Sequence, residues 1–308
     1  MGGPDLMGFD DLAAEQVRVN GADLWVRRGG SGPPCLLLHG YPETGETWRH
    51  VVPALLPHRT VYVPDHRGWG RSATPGGGPY TARGMLEDAV ALIEKLSLGP
   101  LDLVGHDWGA GVVLGIIVSR PELVRRAVNL NMGFRRFVKS APLHFYFFAL
   151  PFLPELAFRF ANDPCVRFLF RWWGARQEAF PEEWLRFYAE AHGQPVSRKA
   201  TIAYYRSIRP LRMRRRGRGG AAADRMKRVP VPYRVIYGEA DRVSPLQNAR
   251  WMMEDLEGVD LVTLPGIGHF PQEEAPEETA RLIVEFLGGS GLTYSINTAP
   301  RHNGKKSQ

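Results

Sequence analysis

Only two of the 308 residues are cysteines, Cys35 and Cys165. That is too few for a disulfide framework or a four-thiolate metal site, so a reducing compartment, the cytoplasm, is expected. Long apolar runs are also missing. The greasiest stretch, Phe145 to Phe158, is short and broken by Pro151, Pro154 and Glu155, which excludes a transmembrane helix and makes it read as the lining of something internal. The start, Met-Gly-Gly-Pro-Asp-Leu, lacks the basic and apolar regions of a secretory signal, and Leu6 stands where a myristoylation signal needs Ser or Thr. Despite 34 glycines and 25 prolines there is no Gly-X-Y period, so a collagen-like chain is excluded. No His, Cys or carboxylate cluster has metal-ligand spacing, and no Gly-rich loop has nucleotide-binding context. Neither a metal nor a cofactor is expected.

What is present fits a soluble globular chain, with 44% hydrophobic and 23% charged residues. The net charge of +7 is concentrated: Arg206 to Arg228 holds ten basic residues against the single acid Asp224. Glycines 217, 219 and 220 interrupt this run and no aromatic is interleaved, so it reads as a solvated linker. Neither a nucleic-acid nor a membrane partner is expected.

Seven short apolar runs recur: Val17 to Val26, Cys35 to Leu38, Thr60 to Val63, Leu101 to Val104, Ala127 to Leu130, Tyr233 to Ile236 and Leu261 to Leu264. Helical patterns separate several of them, at Ala82 to Leu96, Ala110 to Val118, Leu246 to Leu256 and Pro276 to Leu287. Such alternation predicts an α/β fold with a mostly parallel sheet covered on both faces. It stops between about 135 and 228, where aromatics crowd into helical patterns. The expected organisation is a core over 1–134, a helical cap over 135–212, a basic linker over 213–228, more core over 229–288 and an unstructured tail over 289–308.

Leu101-Asp-Leu-Val, then Gly105-His-Asp107-Trp-Gly109, then an apolar helix, reads as a strand, a sharp turn and a helix. In a G-x-nucleophile-x-G elbow the strained turn lifts the central side chain to the carboxyl edge of the sheet. Here that side chain is an aspartate. A serine alkylated at saturated carbon would become an inert ether, whereas an alkylated aspartate is an ester that water can cleave. Asp107 therefore suits substrates attacked at sp3 carbon, and the helix N-terminus should keep it ionised.

Together with His39-Gly-Tyr41-Pro and Asp65-His-Arg-Gly-Trp-Gly-Arg-Ser72, this elbow resembles the α/β-hydrolase superfamily, in particular its epoxide hydrolases and haloalkane dehalogenases. The likeness runs over roughly 15 to 288. It implies an oxyanion hole from the backbone N–H groups of Tyr41 and Trp108. The superfamily order of nucleophile, acid, histidine places the base at His269, after the last strand. The acid belongs after Tyr233 to Ile236, where Asp241 matches the family position and Glu239 is the alternative. Some relatives carry the acid after the sixth strand, but there this chain has Asn129-Leu-Asn131.

The leaving group separates the branches. An epoxide oxygen departs as a basic alkoxide and needs an acid beside it, whereas a halide needs only N–H donors. Ala203-Tyr-Tyr205-Arg resembles the second cap-donor motif of epoxide hydrolases, pointing to Tyr205, and the first donor region places His144 where many relatives have tyrosine. Tyr146 and Tyr204 are the fallbacks. Phe145, Phe148 and Trp108 are expected to line the substrate site. The resemblance thus implies opening of small, apolar epoxides by water to vicinal diols. Haloalkane dehalogenases remain the alternative, with Trp172 or Trp173 as the second halide donor. Fluoroacetate dehalogenases resemble the cap closely, but their carboxylate-gripping arginines are replaced by Trp108 and Gly111. A catalytically silent binding protein of the same fold is the third reading.

Overall fold

The computed structural model describes residues 8–73, 76, 78–134, 136, 138, 143–208 and 226–288. The chain opens with β1 (Ala13–Val19) and β2 (Ala22–Gly30), paired antiparallel. The run Val17 to Val26 thus takes in parts of both strands of a hairpin. Its turn, Asn20-Gly21, has φ of 45° and 79°, the doubly positive geometry that matches the twist of the flanking strands.

Next come β3 (Pro34–Leu38), α1 (Val52–Leu55), β4 (Thr60–Pro64), α2 (Ala82–Lys95), β5 (Leu101–His106), α3 (Trp108–Ser119) and β6 (Val124–Leu130). Among the described residues five helices follow before the sheet resumes: α4 (Leu143–Ala149), α5 (Leu153–Phe160), α6 (Asn162–Trp173), α7 (Glu182–Gly193) and α8 (Pro195–Ile208). β7 (Arg228–Gly238), α9 (Leu246–Asp255), β8 (Glu257–Leu264), α10 (Pro271–Glu274) and α11 (Pro276–Gly288) complete the described chain. The linker's residues 213–225 and the tail 289–308 lie outside the described residues.

The eight described strands form one sheet in the order β1-β2-β4-β3-β5-β6-β7-β8, antiparallel at β1/β2 and β2/β4 and parallel from there on. Alternation along β3 divides the core: Leu36 and Leu38 join one apolar cluster, Cys35 and Leu37 the other. The first cluster takes in α2, α3 and much of α4 to α8, the second α1 and α11. α3 is apolar nearly all round, as a helix buried in a core must be.

The stretch Phe145 to Phe158 is only half internal. Phe148 and Phe158 are buried, but Leu150, Leu153 and Leu156 are exposed and Phe152 is 77% exposed. α5 is amphipathic, and its outer face meets solvent. At its edge Arg206, where the basic run begins, pairs with Glu155 at 2.6 Å. None of the described helices is long and apolar enough to cross a membrane.

Candidate active site

Parallel strands bring their carboxyl ends to one edge of the sheet, and chemistry in such folds gathers there. β3 ends at His39-Gly40-Tyr41, β5 at Asp107, β7 before Asp241 and β8 before His269.

Asp107 occupies the turn between β5 and α3 with φ 49° and ψ −112°. A non-glycine residue in this region is strained by about 1–3 kcal/mol, which the surroundings must impose. They do so through glycine. A Cβ on Gly105 would lie 2.6 Å from the Gly109 carbonyl carbon, and one on Gly109 only 2.1 Å from the Leu38 oxygen. The helix thus starts directly beneath the carboxylate, whose side chain is 17% exposed.

Asp107 Oδ1 accepts the Tyr41 N–H at 3.1 Å. Trp108 opens α3, so its N–H has no acceptor within its own helix. On the other side, Nε2 of His269 faces Asp107 Oδ2 at 3.6 Å, an ion-pair distance beyond hydrogen bonding. His269 Nδ1 contacts Asp241 Oδ2 at 2.8 Å. Asp241 is fixed in turn, taking the Asn131 amide at 2.7 Å and the N–H groups of Val243 and Ser244 at 2.7 and 2.9 Å. Glu239 is exposed and bonded to Thr263 instead, so the alternative acid does not reach His269. Asn131, at the other possible acid position, is an anchor for Asp241.

The charges of the pair are mutually dependent. Burial opposes charge on Asp107, but His269 outweighs it and brings the carboxyl down to about 2. Burial likewise opposes charge on His269, yet Asp241 and Asp107 together raise it to about 10. At neutral pH this is carboxylate against imidazolium.

The helical layer supplies the opposite wall. His144 on α4 and Tyr205 on α8 are buried, with ring centroids 5.4 Å apart and edge to face. Phe148 stacks flat on Tyr205 at 4.2 Å, Phe145 lies 5.2 Å away and Trp108 5.3 Å away. Burial holds the Tyr205 hydroxyl well above the ordinary tyrosine range, helped by the Asp107 charge. Burial also pushes His144 down to about 4, so the ring is neutral at pH 7, and its Nδ1 has no protein partner. The fallback tyrosines point elsewhere: Tyr204 donates to the Arg67 carbonyl at 2.8 Å and Tyr146 is exposed. Of the tryptophan pair, Trp173 is buried 5.0 Å from the His144 ring, whereas Trp172 stacks on the exposed Phe168.

Sequence reasoning missed a polar layer beneath the pair. His106 is wholly buried, with Nδ1 2.6 Å from Glu43 Oε2 and Nε2 2.7 Å from the His269 carbonyl oxygen. Glu43 also accepts from Thr47 at 2.5 Å and Gln272 at 2.7 Å. Burial opposes its charge, but His106 more than compensates and its pKa is lowered. The available signal was position, since Glu43 follows the quoted His39-Gly-Tyr41-Pro run and His106 lies within the elbow motif itself. Among the described residues no cluster of three or more His, Cys, Asp or Glu could hold a metal ion.

Comparison with known proteins agrees with this architecture. Residues 35–282 match the model of the alpha/beta hydrolase family. The chain belongs to that family. Its relatives place this α/β hydrolase on the branch of the epoxide hydrolases. It is 27% identical to the soluble epoxide hydrolase of Corynebacterium sp. strain C12, over 90% of this chain and 98% of that one. It is 30% identical to a fluoroacetate dehalogenase of Burkholderia sp., over 91% of this chain and 95% of that protein. The crystal structure of epoxide hydrolase VrEH1 from Vigna radiata superimposes with a TM-score of 0.76 at 26% identity, covering 92% of this α/β hydrolase and 99% of VrEH1.

Proposed function

We propose that this α/β hydrolase opens epoxides to vicinal diols through an ester on Asp107, with the helical layer 143–208 as its cap. The observation that carries the reading is the facing of two sets. An aspartate paired with His269, which Asp241 holds from its other side, sits at the elbow, and the buried pair Tyr205 and His144 lines the opposite wall.

In the first step an Asp107 oxygen attacks an epoxide carbon and the carbon–oxygen bond of the ring breaks. Tyr205 gives its proton to the departing oxygen, and neutral His144 donates a hydrogen bond to it. The aromatic wall of Phe145, Phe148 and Trp108 suits a small apolar substrate. Forming the ester removes the Asp107 charge, one of the two that hold the proton on His269. The proton His269 then sheds replaces the one spent on the epoxide oxygen.

Neutral His269 next takes a proton from water, whose oxygen attacks the ester carbon. Charge developing on the carbonyl oxygen meets the N–H groups of Tyr41 and Trp108. The ester carbon–oxygen bond then breaks, the adduct's hydroxyl proton passes to the departing diol oxygen, and the Asp107 carboxylate and the protonated His269 are restored. The ion pair of the resting site thus becomes a base only after the nucleophile has reacted.

A dehalogenase is the second reading, favoured by the fluoroacetate dehalogenase relative and by the buried Trp173 Nε1, which has no acceptor beside His144. Against a haloacid, positions 108 and 111 hold Trp and Gly, so no cation stands there to grip a carboxylate. Diol and halide release measured across epoxides, haloalkanes and fluoroacetate separate the readings. Diol formation is expected; halide release without diol would replace the epoxide reading by the dehalogenase one.

A further inference from the structure

Glu274, the last residue of α10, is a buried carboxylate that no cation pairs with among the described residues; the Arg176 guanidinium reaches only its backbone carbonyl, at 3.3 Å. It takes four backbone N–H groups instead. Oε2 accepts from Gly268 at 2.9 Å, Ala175 at 2.8 Å and Arg176 at 2.9 Å, and Oε1 accepts from Phe270 at 3.0 Å. Gly268 and Phe270 flank His269. Ala175 and Arg176 lie just past the end of α6, in the helical layer. Between these groups the His269 N–H donates to the Trp173 carbonyl at 3.1 Å. The loop that carries His269 and the segment leaving α6 therefore run side by side, joined by one direct bond and by one carboxylate.

Residue 268 has to be glycine for this approach. A Cβ there would stand 2.5 Å from the Ala175 nitrogen, 2.8 Å from Glu274 Oε1 and 2.8 Å from the Trp173 oxygen. Burial pushes the Glu274 carboxyl up, while the four N–H groups pull it down. The arrangement fixes something Asp241 does not reach. Asp241 holds the His269 ring through Nδ1, whereas the backbone beneath that ring is held by its own bonds to Trp173 and His106 and by the bonds of its two neighbours to Glu274.

We propose that Glu274 is a positioning residue for His269, locking its loop to the segment after α6 so that Nε2 is placed for ester hydrolysis. The inference rests on the two-step reading above, in which His269 acts as a base only in the second step. Ester formation uses Asp107, Tyr205 and His144, none of which bonds to Glu274. A positioning role therefore predicts that the two steps respond unequally, whereas a role in stability alone would leave their ratio unchanged. Misplacing a catalytic group by about 1 Å costs up to roughly 100-fold in rate.

The experiment is rapid-quench intact-mass analysis of single turnovers on styrene oxide, cyclohexene oxide and 1,2-epoxyoctane. The proteins are the wild type, His269→Gln, Glu274→Gln and Gly268→Ala. His269→Gln is expected to accumulate the covalent ester. Glu274→Gln keeps the volume of the side chain but turns one acceptor into a donor, and it is expected to slow ester hydrolysis by about tenfold or more while alkylation stays within about threefold. Gly268→Ala keeps the Glu274 side chain but crowds its Oε1 and pushes the two segments apart, so the same split is expected of it; it carries the test if Glu274→Gln fails to fold. An ester in His269→Gln, with both steps slowed equally or neither slowed in the folded variants, overturns the role of Glu274. Wild type that turns over a probe without any ester accumulating in His269→Gln overturns the covalent reading itself. Wild type that turns over none of the three epoxides removes the epoxide reading and this inference with it.

Discussion

Nε2 of His269 stands 3.6 Å from Oδ2 of Asp107, and each side chain sustains the charge of the other. The imidazolium, raised from 6.5 to about 10, stabilises the fold fully below about pH 6.5, and this contribution is lost as pH rises through about 10. The carboxylate, lowered from 3.8 to about 2, contributes fully above about pH 3.8 and less as pH falls through about 2. Asp107→Asn removes one of the two carboxylates beside His269. Its pKa is expected to fall by about 1–3 units, which NMR titration of the ring reads directly. An unchanged His269 pKa would mean that Asp241 alone holds the proton, and the proposed switch between the two steps would be lost.

Tyr205 and His144 are expected to act on the first step. Tyr205→Phe and His144→Phe should each slow alkylation by about 10² to 10⁴-fold, the usual worth of general-acid assistance. Hydrolysis of an ester already formed should change far less. Because burial brings His144 down to about 4, its ring is neutral across the working range. Alkylation should therefore stay flat as pH rises from about 5 to 8, rather than falling through an ordinary histidine pKa. Single-turnover rates across pH check both points. If both variants keep wild-type rates of ring opening yet lose halide release, the pair is a halide site.

The elbow makes a prediction about stability. A Cβ on Gly109 would stand 2.1 Å from the Leu38 oxygen, which is backbone and cannot swing aside. Gly109→Ala should cost about 1–3 kcal/mol, read as a lower urea midpoint with an unchanged slope. Gly111→Ala, two residues further on and with only the Met132 side-chain tip at 3.7 Å, is the control expected to be near neutral. Equal stability of the two variants would show that the close approach of α3 to β3 is not required.

Sequence alone carried most of the sheet because strand–helix alternation is a local signal. The expected helix Ala82 to Leu96 is α2 at Ala82–Lys95, and Pro276 to Leu287 is α11 at Pro276–Gly288. The run Val17 to Val26 holds two strands because Asn20-Gly21 within it is a strong hairpin signal. The elbow and the order of Asp107, Asp241 and His269 were legible because motifs hold them within a few residues. Glu43, His106 and Glu274 were not. A lone acid in a loop usually meets solvent, and only the folded chain brings Gln272 to Glu43 or Ala175 to Glu274. The outward face of α5 was hidden for the opposite reason, since composition records how many apolar residues there are but not which way they point.

The route of oxygen tests the nucleophile most directly. If Asp107 forms an ester and water attacks its carboxyl carbon, the oxygen added to product in the first turnover comes from the aspartate, and the solvent oxygen stays in the enzyme. Excess enzyme in heavy-oxygen water should thus give unlabelled diol in one turnover. The label should appear in the peptide containing Asp107, and diol from later turnovers should then carry it. Direct attack of water on the epoxide, with Asp107 and His269 acting only as a base pair, predicts the reverse: labelled diol at once and an unlabelled peptide. Digestion and mass analysis after a single turnover distinguish the two routes, because the label can enter only one of the two molecules first. The geometry favours the covalent order. Asp107 is the group raised on the strained turn at φ 49°, whereas His269 is set back and tied to Asp241 at 2.8 Å.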